Sequence, residues 1–437
     1  MALPRLNLIK LLIVPLIVFA ATVVAVRAID GPAGSSAPAP GASGGFADAR
    51  STDARIASLR AAIEAGTSQA APYAALGDAY LQKARETFDP SYYARAESAL
   101  REALRRDPGD AGALTAMGSL ANARHDFAAG LALGKRARAA APGVVKPYGV
   151  IVDALVELGR YDAAERVLQQ MVDLKPNLDS YARVSYFREL HGDLPGAIEA
   201  MRLAASAGGD ARENLAYVQT LLGNLELARG RTAAARKAYR LALARYPQYV
   251  PAQAGLARTA AARGDLDVAI RAYRKVTVRL PLPEYVVGLA ETELAGGRRG
   301  AARDDLALVE VQQRLLRRAG VNVDADIALV EASYGNVRRA VRLARRAYDV
   351  APSVRAADAL GWSLTRSGQP AAGLAYGKRA LRLGSRDPMF LYHAGLAARD
   401  AGRAALARTY LSRALAQSPH FSPLHAPRAR RALEGLR

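Results

Sequence analysis

The sequence predicts an all-α protein: a right-handed α-solenoid of about ten helix–turn–helix repeats, preceded by an N-terminal apolar helix. Three observations support this prediction. Small residues recur about every 34 positions, glycines and prolines recur in register with them, and a single long apolar run stands near the start of the chain. A chain of 437 residues would otherwise suggest about three ordinary domains, but the usual domain size does not apply to a repeat array.

Residues 1–28 are predicted to form a signal-anchor (a transmembrane helix) or a signal peptide. Arg5 and Lys10 precede the apolar run, and basic residues in that position place the N-terminus in the cytoplasm. Residues 6–28 are expected to contact the membrane. We favour the uncleaved anchor, because Arg27 is a poor neighbour for a signal-peptidase cut, but cleavage after Ala28 stays open. The rest of the chain is therefore expected outside the cytoplasm, tethered to the cell membrane by a single pass or secreted.

Residues 29–52 are predicted to form a flexible linker. Between residues 31 and 45 the chain contains only Gly, Pro, Ala and Ser, so this stretch has no side chain that could build a core. A leading helix is predicted over residues 53–69, because its isoleucines and Leu59 fall on one helical face. The linker would hold the folded part of the chain away from the membrane.

Residues 70–419 are predicted to form one array of about ten repeats, each made of two antiparallel helices. A small residue recurs where the second helix of each repeat would begin, at spacings of 33, 34 or 38 residues. These positions are Ala96, Gly130, Ala164, Ala197, Ala235, Ala269, Ala302, Ala340, Gly373 and Ala407. Two helices cross closely only where one of them has no side chain beyond Cβ, which explains the residue types. The two spacings of 38 predict longer connections near residues 208–209 and near Gly320.

Glycines and prolines mark the predicted helix ends. A glycine in a left-handed conformation ends the first helix of a repeat, and a proline stops the second helix. The turn glycines are Gly159, Gly192, Gly230, Gly264, Gly297, Gly335, Gly368 and Gly402. The prolines are Pro108, Pro142, Pro176, Pro247, Pro281, Pro352 and Pro419. Residues 420–437 are predicted to form a polar-faced C-terminal capping helix.

The pattern resembles the tetratricopeptide-repeat (TPR) family over roughly residues 70 to 419. The stretch 73–80 is similar to the W-x2-L-G-x2-Y opening of a repeat, with Leu76 and Gly77 as its L-G pair. The stretch 96–108 is similar to the A-x3-F-x2-A-x4-P second half. The pentatricopeptide family, an RNA-binding alternative of similar period, lacks the L-G and proline marks. The resemblance indicates a TPR protein of the bacterial exported or membrane-anchored type.

No sequence motif for catalysis, metal binding or cofactor binding is present. The absence of cysteine excludes a disulfide framework, a thiolate metal site and a cysteine nucleophile. The five histidines are scattered, and the chain has no HExxH, GxSxG, Walker A or GxGxxG motif. The sequence therefore predicts a protein that is not an enzyme and uses no cofactor or metal.

The net charge of +21 has two interpretations. Arginine supplies 53 of the 61 basic residues, and alanine is also abundant, a mixture typical of a GC-rich genome. Most of the charge is therefore interpreted as compositional, and nucleic acid is not the expected partner. The alternative function is a polyanion-binding module that uses the arginine excess to bind nucleic acid or an acidic envelope polymer.

The TPR resemblance implies a groove lined by the first helix of each repeat, where a partner protein or peptide of unknown identity would bind. The predicted groove residues are Arg355, Trp362, Tyr392, Arg399, Tyr186 and Asn224. The first four lie in the ninth and tenth repeats and combine arginine with aromatic rings, the usual anchors of interfaces, so the main site is predicted there, for an acidic or aromatic peptide. For Trp362 and Tyr392, packing between adjacent helices stays open as the alternative.

Only Asn224 fits the dicarboxylate clamp of the chaperone-binding branch of the family, so a clamp for a chaperone tail is not expected. Taken together, the sequence predicts a non-enzymatic protein–protein interaction scaffold. Its TPR groove would face the extracytoplasmic side of the membrane.

Overall fold

The computed structural model describes residues 51–208 and 212–436, which form 22 α-helices and no β-strand. The predicted apolar helix over residues 1–28 and nearly all of the predicted linker lie outside the described residues. In the described ranges, no helix is both long and apolar enough to cross a membrane.

After the leading helix α1 (Thr52–Glu64), the helices follow one another as ten antiparallel hairpins between residues 71 and 417. The first helices of the hairpins are α2 (Ala71–Thr87), α4 (Ala111–Ala123), α6 (Lys146–Glu157), α8 (Leu178–Leu190), α10 (Arg212–Ala228), α12 (Val250–Ala262), α14 (Pro283–Ala295), α16 (Asp324–Tyr334), α18 (Val354–Arg366) and α20 (Pro388–Asp400). The second helices are α3 (Tyr92–Arg106), α5 (Phe127–Ala140), α7 (Tyr161–Leu174), α9 (Leu194–Ser206), α11 (Thr232–Arg245), α13 (Leu266–Arg279), α15 (Arg299–Arg318), α17 (Val337–Val350), α19 (Pro370–Ala380) and α21 (Ala404–Gln417). A final helix, α22 (His425–Glu434), follows the array.

The recurring small residues lie where the two helices of a hairpin cross. All eight alanines among them are fully buried, with 0% exposure. In the ninth hairpin a Cβ added to Gly373 would lie 2.7 Å from the carbonyl oxygen of Gly361, closer than real Cβ contacts allow. Close helix crossing therefore explains the repeat of Ala and Gly.

Seven of the eight predicted turn glycines have a positive φ, between 68° and 92°. Gly335 is the exception: its φ is −130°, so the turn between α16 and α17 follows a different path. In the second hairpin, His125 takes the left-handed conformation instead, with φ 62°. Each of the seven recurring prolines lies two residues beyond the end of a second helix, as expected of a residue that cannot continue a helix.

The extra residues near Gly320 lengthen a helix and not a connection. Helix α15 runs for 20 residues, whereas the other second helices have 11 to 15, and it ends just before Gly320, whose φ is 80°. The expectation of a longer connection there was wrong, because no proline or glycine interrupts the chain between Arg303 and Arg318.

Hairpins far apart in sequence are in contact, because the array forms a superhelix whose successive turns touch. The backbone N–H of Asn322 donates to the carbonyl oxygen of Arg124 at 2.9 Å. The N–H of Val354 donates to the Tyr161 hydroxyl at 2.9 Å. Gln417 Nε2 donates to the carbonyl oxygen of Ala228 at 3.3 Å. Each contact joins residues nearly 200 positions apart, so a full turn takes between five and six repeats.

The largest apolar core reflects the same arrangement. Ile151 and Phe187 from the third and fourth hairpins share one cluster with Val354 and Phe390 from the ninth and tenth. The apolar core therefore stabilises two turns of the superhelix at once, which holds the first helices close together around its inner side.

Candidate partner-binding surface

The first helices of the hairpins form the inner side of the superhelix, where their polar side chains meet across the turn. Gln82 Nε2 of α2 donates to Glu213 Oε2 of α10 at 3.1 Å. Arg355 of α18 lies 3.9 Å from Asp326 of α16, next to Tyr186 of α8. We call the polar side chains of the first helices on this side the inner surface.

The inner and outer helices carry opposite charge. The ten first helices contain 10 Lys and Arg against 16 Asp and Glu, whereas the ten second helices contain 31 Lys and Arg against 11 Asp and Glu. The net charge is therefore −6 on the first helices and +20 on the second helices. The positive charge of the chain thus lies on the outside of the array.

An enclosed ion pair dominates the inner surface near its N-terminal end. Arg183 is 8% exposed and donates through Nε and Nη2 to both carboxylate oxygens of Asp153, at 2.8 and 2.7 Å. Its Nη1 donates to the carbonyl oxygen of Asp179 at 3.1 Å. Burial raises the pKa of the Asp179 carboxyl to about 6, although Arg183 and Lys146 act in the opposite direction. This part of the surface therefore changes its charge near pH 6.

Tyrosines extend from this ion pair along the inner surface towards Glu284. Tyr217 lies within electrostatic range of Asp179, and Tyr249 lies within electrostatic range of Tyr217. Tyr285 lies within electrostatic range of both Tyr249 and Glu284. Burial raises the pKa of all three tyrosines, so they stay neutral phenols at physiological pH. Burial also raises the pKa of the Glu284 carboxyl, to about 7. The three phenols and the carboxyl groups of Asp179 and Glu284 therefore lie near one another, with Tyr249 and Tyr285 buried at 7% and 8% exposure.

Two acceptor oxygens on this stretch lack a donor. Asp179 Oδ1 and Glu284 Oε2 are buried and have no hydrogen-bond partner among the described residues. Buried polar atoms in folded proteins are nearly always hydrogen-bonded, to protein, to water or to a ligand. Water or a ligand with N–H groups would supply the donors that these oxygens lack.

Trp362 and Tyr392 lie in the core, which agrees with the alternative that they pack between adjacent helices. Trp362 is 5% exposed; its Nε1 donates to Ser333 Oγ at 3.0 Å, and its ring stacks on His393 at 4.3 Å between centroids. Tyr392 is 2% exposed and packs its ring against His425 at 5.2 Å. Neither side chain is available to a partner while helix α22 is in place.

Helix α22 covers the inner side of the last hairpins, where the main site was predicted. The His425 Nε2 atom lies 3.3 Å from Glu291 Oε1 of α14, and the Tyr334 hydroxyl donates to the same oxygen at 2.7 Å. Burial raises the pKa of Glu291, but His425 and the hydrogen bonds from Tyr334 and Ser422 outweigh burial, so the pKa is lowered overall. The chain's own C-terminus therefore occupies this region.

The structure brings together two of the six predicted groove residues, Arg355 and Tyr186. Both are half-buried on the inner surface, and the Tyr186 hydroxyl donates to Glu157 Oε1 at 3.4 Å. Burial raises the pKa of Tyr186 well above its ordinary value, and also raises that of Glu157. Arg355 supplies the positive charge that opposes both shifts.

The remaining two predicted residues lie apart from this pair. Asn224 is 7% exposed, and its Oδ1 accepts hydrogen bonds from the Tyr239 hydroxyl at 2.7 Å and from Arg258 Nη2 at 2.6 Å. Arg399 is exposed and pairs with its neighbour Asp400 at 2.8 Å. Partner binding by the six residues stays a prediction.

Sequence reasoning missed Arg183, Tyr249 and Tyr285. The family rule for groove positions points to Asp179 and Tyr217, but Arg183 falls between the positions it selects, and Tyr249 precedes the first residue of α12. The available signal was the concentration of tyrosines near the starts of α10, α12 and α14. In the described ranges, no group of three or more His, Cys, Asp or Glu residues could hold a metal ion.

Comparisons with known proteins place TPR repeats in three stretches of the chain. Tetratricopeptide-repeat family models match residues 121–185, 220–282 and 359–420. No curated protein matches the sequence significantly.

Solved structures similar to this chain have low identity to it. The APC/C hetero-tetramer Cut9–Hcn1 has 17% identity and a TM-score of 0.36, over 89% of this chain and 84% of that chain. The human IFIT1 dimer with PPP-AAAA has 15% identity and a TM-score of 0.46, over 72% and 73%. TTC0263, a thermophilic TPR protein of Thermus thermophilus, has 21% identity and a TM-score of 0.36, over 40% and 94%. The family matches and the all-helical hairpin fold confirm that this chain contains tetratricopeptide repeats.

Proposed function

We propose that this protein is a non-enzymatic protein–protein interaction scaffold whose inner surface binds an extended, basic segment of a partner protein. TPR proteins act in general as protein–protein interaction scaffolds and bind protein or peptide partners. The observation that carries the proposal is the group of tyrosines between Asp179 and Glu284, with the two carboxyl oxygens that lack donors.

The chemistry of this stretch fits lysine and arginine side chains. Carboxylates accept charge-assisted hydrogen bonds from guanidinium and ammonium groups, and the face of a tyrosine ring attracts a cation. The excess of acidic over basic residues on the first helices adds a longer-range attraction for a positively charged segment. An extended segment would also present backbone N–H groups to the unpartnered oxygens of Asp179 and Glu284.

The proposal places the array on the extracytoplasmic side of the membrane. Support for this placement comes from the sequence: basic residues precede an apolar run in residues 6–28, and a linker without apolar side chains follows. If the apolar segment is cleaved after Ala28, the same scaffold is secreted.

Site-specific photo-crosslinking tests the proposed binding surface in cells that make the full chain. A photo-reactive side chain at Lys146, which lies near Asp179 on the first helix α6, is expected to crosslink to a partner segment rich in Lys and Arg. The same side chain at Val144, which is 47% exposed between α5 and α6, is the control and is expected to give no such product. Crosslinks from Val144 alone, or to an acidic segment from Lys146, would contradict the proposal.

A matched variant links the crosslink to the charges. The double substitution Asp179→Asn and Glu284→Gln keeps the shape of both side chains but removes both ionisable carboxyl groups. We expect the crosslink at Lys146, measured at pH 8, where both carboxyl groups are ionised, to fall several-fold while the helical content stays unchanged. An undiminished crosslink would show that the carboxylates do not take part in binding.

A further inference from the structure

We propose that the outward faces of helices α11, α13, α15 and α17 form one surface that lies on an anionic lipid bilayer. We call this the outer basic surface. It lies on the second helices, on the side opposite the proposed partner-binding surface, and is independent of the proposed function.

Basic residues concentrate on these four helices. They carry 18 Lys and Arg against 5 Asp and Glu, whereas the other six second helices together carry 13 against 6. Arg236, Lys237 and Arg240 of α11 and Lys275 of α13 are exposed. In the described part of the chain, none of these four side chains forms an ion pair. Their charges are therefore available to lipid phosphates.

Exposed aliphatic side chains concentrate on the same four helices. Seven of the ten large hydrophobic residues that are exposed in the described structure belong to them: Leu241, Val268, Val278, Leu308, Val311, Leu315 and Val350. The side chain at Val278 is 85% exposed and that at Leu315 is 55% exposed. Burying such side chains in the acyl region of a bilayer adds a favourable term that a purely electrostatic ligand would not supply.

Contacts between neighbouring helices make the four faces continuous. Arg298, at the start of α15, pairs with Asp267 of α13 at 2.6 Å, and Arg339 of α17 pairs with Glu310 of α15 at 3.2 Å. The turn before α13 reaches α11, where Arg263 lines a shallow hollow together with Arg236, Lys237, Arg240 and Leu241. The cations and the exposed aliphatic side chains of the four helices thus belong to one connected surface.

This combination fits a bilayer better than a nucleic acid. Binding of single strands relies on exposed aromatic rings that stack on bases, but the aromatic residues of these helices, Tyr239, Tyr273 and Tyr348, are buried or half-buried. Basic residues interleaved with exposed Leu and Val are typical of protein surfaces that lie in the interface of an anionic membrane.

A single fluorescent label on the full chain tests the inference, because the protein has no cysteine of its own. We expect an environment-sensitive fluorophore at Val278→Cys to shift to the blue with phosphatidylcholine vesicles that contain phosphatidylglycerol. No shift is expected with pure phosphatidylcholine vesicles. A label at Leu174→Cys, which is 41% exposed on α7, is the control and should not respond to either vesicle. Any contribution of residues 6–28 to attachment is the same for both labels, so the difference between them reports the outer basic surface.

Matched charge variants complete the test. The triple substitution R236Q/K237Q/R240Q on α11 is expected to raise the lipid concentration for half of the Val278 response at least tenfold. The triple substitution K135Q/R136Q/R138Q on α5 removes the same number of charges and should leave that concentration unchanged. Circular dichroism of both variants checks that the helices are intact. The inference is overturned if the two variants behave alike or if neutral vesicles give the same shift. It is also overturned if soluble polyphosphate shifts the label while anionic vesicles do not.

Discussion

The first and second helices of each hairpin have the same fold but different chemistry. The first helices carry a net charge of −6 and enclose tyrosines and partly buried carboxylates, whereas the second helices carry +20 and expose arginine and aliphatic side chains. A mixture typical of a GC-rich genome has more arginine than lysine, but codon bias does not explain why arginine concentrates on one of two alternating helices. The contrast supports the proposals that the two sides of the array take ligands of opposite charge.

The largest expected effect is a loss of stability, and it distinguishes a buried residue of the predicted groove from an exposed one. Trp362→Ala removes a side chain that is 5% exposed and leaves a cavity beneath α22, so it should destabilise the ninth and tenth hairpins by about 3–5 kcal/mol. Arg399→Ala, at an exposed position, should change stability little. Hydrogen exchange of α18 and α20 measures both effects. Equal protection in the two variants would show that Trp362 does not support the core.

A second comparison sets an enclosed ion pair against an exposed one. Arg183→Gln leaves Asp153 without its bidentate partner in a largely buried site and should cost about 3 kcal/mol. Arg298→Gln removes a pair whose side chains are 43% and 70% exposed, and should cost less than about 0.5 kcal/mol. Urea unfolding of both variants measures the difference. Similar losses of stability in the two variants would mean that the Arg183–Asp153 pair is more exposed to solvent than it is in the structure.

The third expected effect is a pH-dependent change in stability at Glu284. Burial raises the pKa of Glu284 from its ordinary 4.5 to about 7, so the folded chain binds this proton more tightly than the unfolded chain does. The contribution of this group to the free energy of unfolding is therefore fully present below about pH 4.5 and is lost as the pH rises through 7. Glu284→Gln should therefore be more stable than the natural chain at pH 8, by about 2–3 kcal/mol, and equal to it near pH 4. Urea midpoints at both pH values test this, and a less stable variant at pH 8 would contradict it.

The smallest expected effect concerns the contact between superhelical turns. Arg382 lies over the Tyr161 ring at 5.2 Å, and its Nη2 is 3.4 Å from the carbonyl oxygens of Gly159 and Pro352. Because Arg382 is partly exposed, Arg382→Ala should cost only about 0.5 kcal/mol. The change should appear as faster hydrogen exchange near residue 161, with the rest of the array unaffected. Unchanged exchange at that site would show that the turns do not depend on this side chain.

The repeats were predictable from the sequence because local rules determine them. Alanine or glycine at the crossings, glycine in seven of the turns and proline two residues beyond the second helices each follow from short-range geometry. The structure therefore has its hairpins where the 34-residue pattern puts them. The length of α15 was missed because a spacing of 38 residues does not say whether the extra residues continue a helix or form a loop.

The site was less predictable because it depends on contacts between distant repeats. Small rotations from one repeat to the next add up until Asn322 reaches Arg124, and no local pattern records that sum. The groove rule of the family placed Tyr186 and Arg355 on the inner side, and the structure has them there. It could not show that α22 covers Trp362 and Tyr392, because a capping helix is recognised by its polar face and not by where it packs.

The separation of an enclosed acidic side from an exposed basic side depends on the contact between superhelical turns. A direct test replaces His125 and Asn322 with cysteine in the full chain, where no other cysteine is present, and measures the distance between spin labels at the two sites. His125 Nδ1 lies 2.5 Å from the carbonyl oxygen of Asn322, so we expect one narrow, short distance. A broad distribution at long distances would mean that the superhelix is open, and would contradict the division into inner and outer surfaces.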